Sequence, residues 1–109
     1  MSIVTKTPFS FYRENNTRYV FIDGLGCLTL ADCYQSLQQQ LSIPDYFGNN
    51  LDALDEVLSD LDWIEEKNVK IIIANYSRLL SKELGRKQDF LKVLENSENS
   101  FLEIIYLKD

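Results

Sequence analysis

Apolar residues change their spacing several times along this chain, and each change marks an element. Residues 8–13 and 18–23 are short runs rich in aromatic and β-branched side chains. The polar set Glu14, Asn15, Asn16 and Thr17 separates them, which predicts strand, turn, strand and so an N-terminal hairpin. Gly24 and Gly26 end the second run. Thr29 followed by Asp32 has the spacing of a capping box, whose hydroxyl and carboxylate satisfy the first free amides of a helix. Leu30, Cys33, Leu37 and Leu41 then recur at helical spacing with Tyr34 beside them, a face meant for burial. Pro44 marks the break, because proline donates no helical hydrogen bond and restricts the residue before it.

The pattern resumes after Asn50, a side chain suited to capping, with Asp52 in the first turn near the positive helix end. Leu51, Leu54, Val57, Leu58 and Leu61 form one stripe at 100° per residue. Asp52, Asp55, Glu56 and Ser59 fall opposite. Residues 69–74, with Ile71, Ile72 and Ile73 in succession, are too few for a helix and too uniformly apolar for a half-exposed strand, and so predict a buried parallel strand. A short helix is expected within 77–85 and another over 89–95, where Phe90, Leu91, Val93 and Leu94 cluster. Residues 101–107 give the last strand. Strands alternating with helices specify an α/β fold, here a small, mainly parallel sheet packed with helices and extended by the N-terminal hairpin strand.

The chain has 109 residues, of which 45% are hydrophobic, enough for one core and one compact domain. Nothing approaches the length of a membrane span, and the N-terminus lacks the basic flank and apolar run of a secretory signal, so the expected address is cytoplasmic. In that reducing compartment Cys27 and Cys33 are expected to be thiols acting as small buried hydrophobes. Seventeen acids against eleven Lys and Arg give a net charge of -6, which argues against direct nucleic-acid binding and for a basic protein or metal ions. The acidity is regional. Between Tyr19 and Glu66 there are ten acids and no Lys or Arg, so that the negative field of this block is unscreened from within.

There is no histidine, which removes imidazole bases, His-dependent nucleophile systems and histidine metal ligation together. Gly24-Leu25-Gly26 lacks the rest of a phosphate-binding signature and reads as turn geometry. Two cysteines at this spacing do not make a zinc site. Asp52 and Glu56, one helical turn apart, leave a carboxylate-based metal-dependent enzyme open as an alternative, beside an ordinary solvated helix face. No cofactor is expected.

The sharper constellation is Ile43-Pro44-Asp45-Tyr46-Phe47-Gly48-Asn49-Asn50 leading into the acidic helix. A proline-bounded loop ending in a capped helix is stiff, and stiffness lowers the entropy lost on binding. Phe47 is expected to anchor in the core, Gly48 to adopt a positive φ or allow close backbone approach, and Trp63 to pack at the helix end. Over residues 41–54, with the order proline, aromatic pair, glycine, asparagine and Leu-Asp-Ala-Leu, the chain resembles the barstar family, small intracellular inhibitors of secreted bacterial ribonucleases. The resemblance extends over about 19–109, leaving 1–18 as an N-terminal extension with an edge strand.

That resemblance implies a non-enzymatic inhibitor or immunity protein whose acidic helix and preceding loop block the active site of a basic ribonuclease or ribonuclease toxin. The charge and the lack of a long apolar stretch already argue against direct contact with nucleic acid or membrane. Tyr46 matches the family tyrosine that packs against the enzyme, Asn50 the residue at the helix start and Asp52 the first interface aspartate. Glu56 stands at the central acidic position, where the family usually has aspartate, and Ser59 at the position of a small hydroxyl. Asp55 stands where the type member has tryptophan. Gly48 and Asp55 complete the expected contact set, and Asp60, Trp63, Glu95 and Asn96 are peripheral candidates, Asn96 lying nearest a later acidic interface position. A barstar-like module for a basic partner other than a ribonuclease is the remaining alternative.

Overall fold

Two asparagines set the first turn. The computed structural model describes residues 11–44, 48–97 and 99–109. In it Asn15 and Asn16 both adopt the left-handed conformation, with φ of 53° and 62°, a geometry that asparagine tolerates and that matches the twist of a two-residue hairpin. Strand β1 (Tyr12–Glu14) thus pairs antiparallel with β2 (Thr17–Asp23), with Glu14 opposite Thr17. The expected hairpin is present with a tighter turn, because Glu14 and Thr17 pair instead of turning. Residues 8–10 of the expected first strand lie outside the described residues.

Strand β3 (Asn68–Ala74) runs parallel to β2, and β4 (Leu102–Tyr106) parallel to β3, giving the sheet order β1-β2-β3-β4. Alternation selects one face for the core. Val20, Ile22, Val69, Ile71 and Ile73 have no exposed surface, whereas Phe21 on the other face is 49% exposed. Ile72 and Ala74 are also only partly buried, so the isoleucine run is buried on one face and not on both. Over the buried face lie α1 (Leu30–Leu41), α2 (Leu51–Asp60) and α3 (Lys87–Glu95), which contribute Leu37, Leu41, Leu54, Leu58, Phe90 and Leu94 to the same cluster. Parallel strands joined in sequential order by crossovers of one hand place the connecting helices on one side of the sheet.

The capping box at α1 forms as its residues require: Thr29 Oγ1 accepts from the Asp32 amide while Asp32 Oδ2 accepts from the amides of Leu28 and Thr29. Beyond the last β1 pair, the edge of β2 is satisfied by a side chain. Gln40 Oε1 accepts from the Phe21 amide at 2.7 Å and its Nε2 donates to the Phe21 carbonyl at 2.9 Å. Gly24 is fixed by space, since a Cβ there would sit 2.0 Å from the Asn75 carbonyl oxygen. Cys27 and Cys33 are free and buried.

One expected helix is replaced. Residues 77–85 do not form an α-helix; the chain makes two 3₁₀ turns, Tyr76–Arg78 and Leu84–Arg86. Leu80 has φ 56°, and the amides of Leu80 and Lys82 donate to the carbonyls of Cys27 and Leu28. Those tertiary bonds take the donors that a helix would have used, and they bury Leu79 and Leu80 completely.

Candidate functional site

Helix α2 is built from its N-cap outward. Asn50 Oδ1 accepts from the Ala53 amide at 2.8 Å, and Asn50 Nδ2 donates to the Gly48 carbonyl at 3.3 Å. The left-handed residue before the cap is Asn49 (φ 53°), and no glycine has a positive φ, which corrects that half of the expectation for Gly48. Asparagine reaches this conformation through local hydrogen bonding, so glycine was not required there. A Cβ at Gly48 would meet side chains and no backbone, Asn50 Nδ2 at 3.2 Å and the Ala53 Cβ at 3.5 Å. At the other end Leu61 caps the helix in the left-handed conformation (φ 46°), with its amide donating to the Val57 carbonyl. Burial of the Leu61 side chain, 1% exposed, is worth about 1.5–3 kcal/mol and offsets that strained backbone.

With Leu54 and Leu58 buried, the opposite side of α2 is set. Asn50, Asp52, Asp55, Glu56, Ser59 and Asp60 are all exposed, on one element. Among the described residues no Lys or Arg forms an ion pair with Asp52, Asp55, Glu56 or Asp60. Two like-charged pairs, Asp52 with Glu56 and Glu56 with Asp60, sit four residues apart, a spacing that disfavours the helix by a few tenths of a kcal/mol each, on the order of 0.2–0.5. Asp60 adds to this by facing the negative end of the helix, whose last turn has no basic residue. Folding therefore gains nothing from Glu56 and Asp60 within this chain.

Other candidates lie elsewhere. Tyr46 and Phe47 are outside the described residues. Trp63 is partly buried, and its Nε1 donates to the Leu41 carbonyl at 2.9 Å, so that its polar tip is used within the chain at the end of α1. Glu95 and Asn96 are exposed at the end of α3, which packs against α2. Glu95 accepts from the Tyr106 hydroxyl, and burial together with this bond holds the phenol above its ordinary pKa. Asp52 and Glu56 do not belong to any group of three or more potential metal ligands among the described residues.

A cluster that sequence reasoning did not find lies beneath α2's connections. Glu66, its side chain 2% exposed, accepts from Arg18 Nε at 2.8 Å on one oxygen and from Arg13 Nη1 at 2.9 Å on the other. Arg18 is itself buried, 7% exposed at the side chain, donates to Ser42 Oγ at 3.3 Å and lies 3.8 Å from the centroid of the Phe11 ring. Burial pushes the Glu66 carboxyl up, but the bonds from Arg13 and Arg18 outweigh it and leave the group below its usual range. The signal was present in the strand pattern. Arg18 shares the inward parity of Val20 and Ile22, and an inward charge in a strand requires a buried partner.

No helix among the described residues is long and apolar enough to cross a membrane. A family profile described as Barstar (barnase inhibitor) matches residues 17–104, from the first residue of β2 through most of β4 and including all of α2. Since that match covers most of the chain and spans the parallel strands β2 to β4 and the acidic second helix just described, the protein belongs to the barstar family.

Proposed function

We propose that the protein is a cytoplasmic inhibitor, or immunity protein, that blocks a basic ribonuclease by seating the exposed acidic face of α2 in its active-site cleft. Membership in the barstar family carries a protein-binding, non-catalytic inhibitory role in general. The ribonuclease target and the contact residues are our reading. The observation that supports them best is the acidity of α2, without an ion pair among the described residues, of which Glu56 and Asp60 do not serve the helix's own stability. An enzyme that holds RNA phosphates must offer cationic groups in a cleft, and that is the surface this helix complements.

In this reading Glu56 is the central anchor, with Asp52 and Asn50 toward the helix start and Asp55, Ser59 and Gly48 around them. Tyr46 supplies the aromatic contact that the family resemblance assigns it. Asp60, Trp63, Glu95 and Asn96 are peripheral, Trp63 acting through the packing that holds the helix end. Charge steers the approach and excludes unsuitable partners, while affinity comes from short contacts in a desolvated centre. Glutamate at the central position reaches one methylene farther than aspartate, so the cognate cleft is expected to differ from one fitted to aspartate.

The reading is tested by titrating purified basic bacterial ribonucleases with the protein and following RNA cleavage. The expected result is loss of activity at equimolar inhibitor with at least one enzyme, through a complex that dissociates faster when α2's exposed carboxylates are neutralised. Absence of inhibition across a panel of such enzymes would refute the ribonuclease assignment, and a tight complex with a basic protein lacking nuclease activity would replace it.

A further inference from the structure

Helix α2 hangs between two connections, described over residues 42–44 and 48–50 before it and residues 61–67 after it. Its apolar stripe sets how deeply it lies, but apolar burial is non-directional and leaves position along the groove loosely specified. Directional bonds act on the connections instead. Trp63 Nε1, from the second, donates to the Leu41 carbonyl just ahead of the first. Arg18 joins them from below, with Nε on Glu66 of the second connection and Nη1 on Ser42 of the first. The hairpin closes the arrangement: Arg13 takes the other Glu66 oxygen, and the Asn16 carbonyl accepts from the amides of Lys67 and Asn68.

Resting on the assignment of α2 as the binding face, we propose that Arg18 is a positioning residue for that face. Its guanidinium ties the chain entering α2 to the chain leaving it, so that the acidic side chains are held in register before the partner arrives. A planar guanidinium can address Glu66 and Ser42 with separate nitrogens, which the single ammonium of lysine cannot do with the same geometry. Phe11 and Arg13, which support Arg18 and Glu66, precede residue 17, where the family match begins. The segment ahead of the family domain thus takes part in holding the binding helix.

Hydrogen exchange of the free protein separates positioning from general stability and needs no partner. Ser42→Gly is the informative variant, because Ser42 is left-handed (φ 55°), a conformation glycine accepts readily, and the Arg18–Glu66 pair remains. The expected result is exchange about tenfold faster across the α2 amides, the loss corresponding to one hydrogen bond to a charged group, with the β3 amides unchanged. Arg18→Lys should share that pattern, and both should speed dissociation from an inhibited ribonuclease by a similar factor. Arg18→Met leaves Glu66 poorly compensated and can unfold the chain, so the decision rests on the other two variants. Unchanged α2 exchange, or α2 and β3 changing in parallel, would overturn the positioning role. Should the parent inhibit no ribonuclease, the assignment of α2 as a ribonuclease-blocking face fails separately, and the exchange arm still decides what Arg18 does.

Discussion

Asn50 shows how much one residue can reveal from sequence alone. An N-cap bond is local, reaching three positions along the chain, so the residue type and the following apolar period were enough to place the start of α2, and Thr29 with Asp32 placed α1 in the same way. Asn50→Ala should lower stability by about 1 kcal/mol in urea unfolding, the usual cost of removing a side-chain cap, and should fray the first turn that presents Asp52. A variant as stable as the parent would show that Asn50 matters only through the partner. Positions 48 and 49 mark the limit of local reading. Both glycine and asparagine reach the left-handed region, and only the backbone reveals that Asn49 carries it. Arg18 was harder still, since its parity announced burial but its partner Glu66 lies 48 residues away.

Elements with a strong internal period were legible, and those shaped by distant contacts were not. The stripes of α1 and α2 specify their own faces, whereas the uninterrupted isoleucine run of β3 announces a buried strand without saying which face is covered, and only the sheet shows Ile71 and Ile73 in the core with Ile72 partly exposed. Residues 77–85 carry helix-compatible residues yet surrender their amides to the carbonyls of Cys27 and Leu28, a competition no local pattern contains. The hairpin is joined to α2's connections through the Arg13–Glu66–Arg18 cluster, and this has a consequence in acid. Arg13 and Arg18 hold the Glu66 carboxyl below its ordinary value despite burial. Its contribution to stability is therefore fully present above the unfolded value of about 4.3 and is lost as pH falls through the lower folded value. Asp23, whose carboxyl is lowered by bonds from Asn75 and the Leu25 amide, shifts in the same direction. Urea midpoints measured from about pH 7 down to about pH 3 should fall, and fall less steeply in Glu66→Gln, which has no charge left to lose. Identical acid profiles for parent and variant would remove Glu66 from the account.

Across the whole molecule, charge is segregated rather than mixed. The block between Tyr19 and Glu66 holds ten acids and no base, and within it α2 turns Asp52, Asp55, Glu56 and Asp60 outward without ion pairs among the described residues. Association with a cationic cleft should therefore be steered by the long-range field, which is screened over roughly 8 Å at physiological ionic strength. Stopped-flow association rates should drop as salt rises while dissociation rates change little; association indifferent to salt would remove steering from the mechanism. The most direct test of α2 as the blocking surface is a titration of the inhibited ribonuclease with folded Glu56→Ala beside the parent, circular dichroism confirming the fold of both. Inhibition weakened by at least about 30-fold, chiefly through faster dissociation, is the predicted result, as expected when one partner of a desolvated charge pair is removed. Inhibition as tight as that of the parent would contradict Glu56 as the anchor and place the binding surface elsewhere on the molecule.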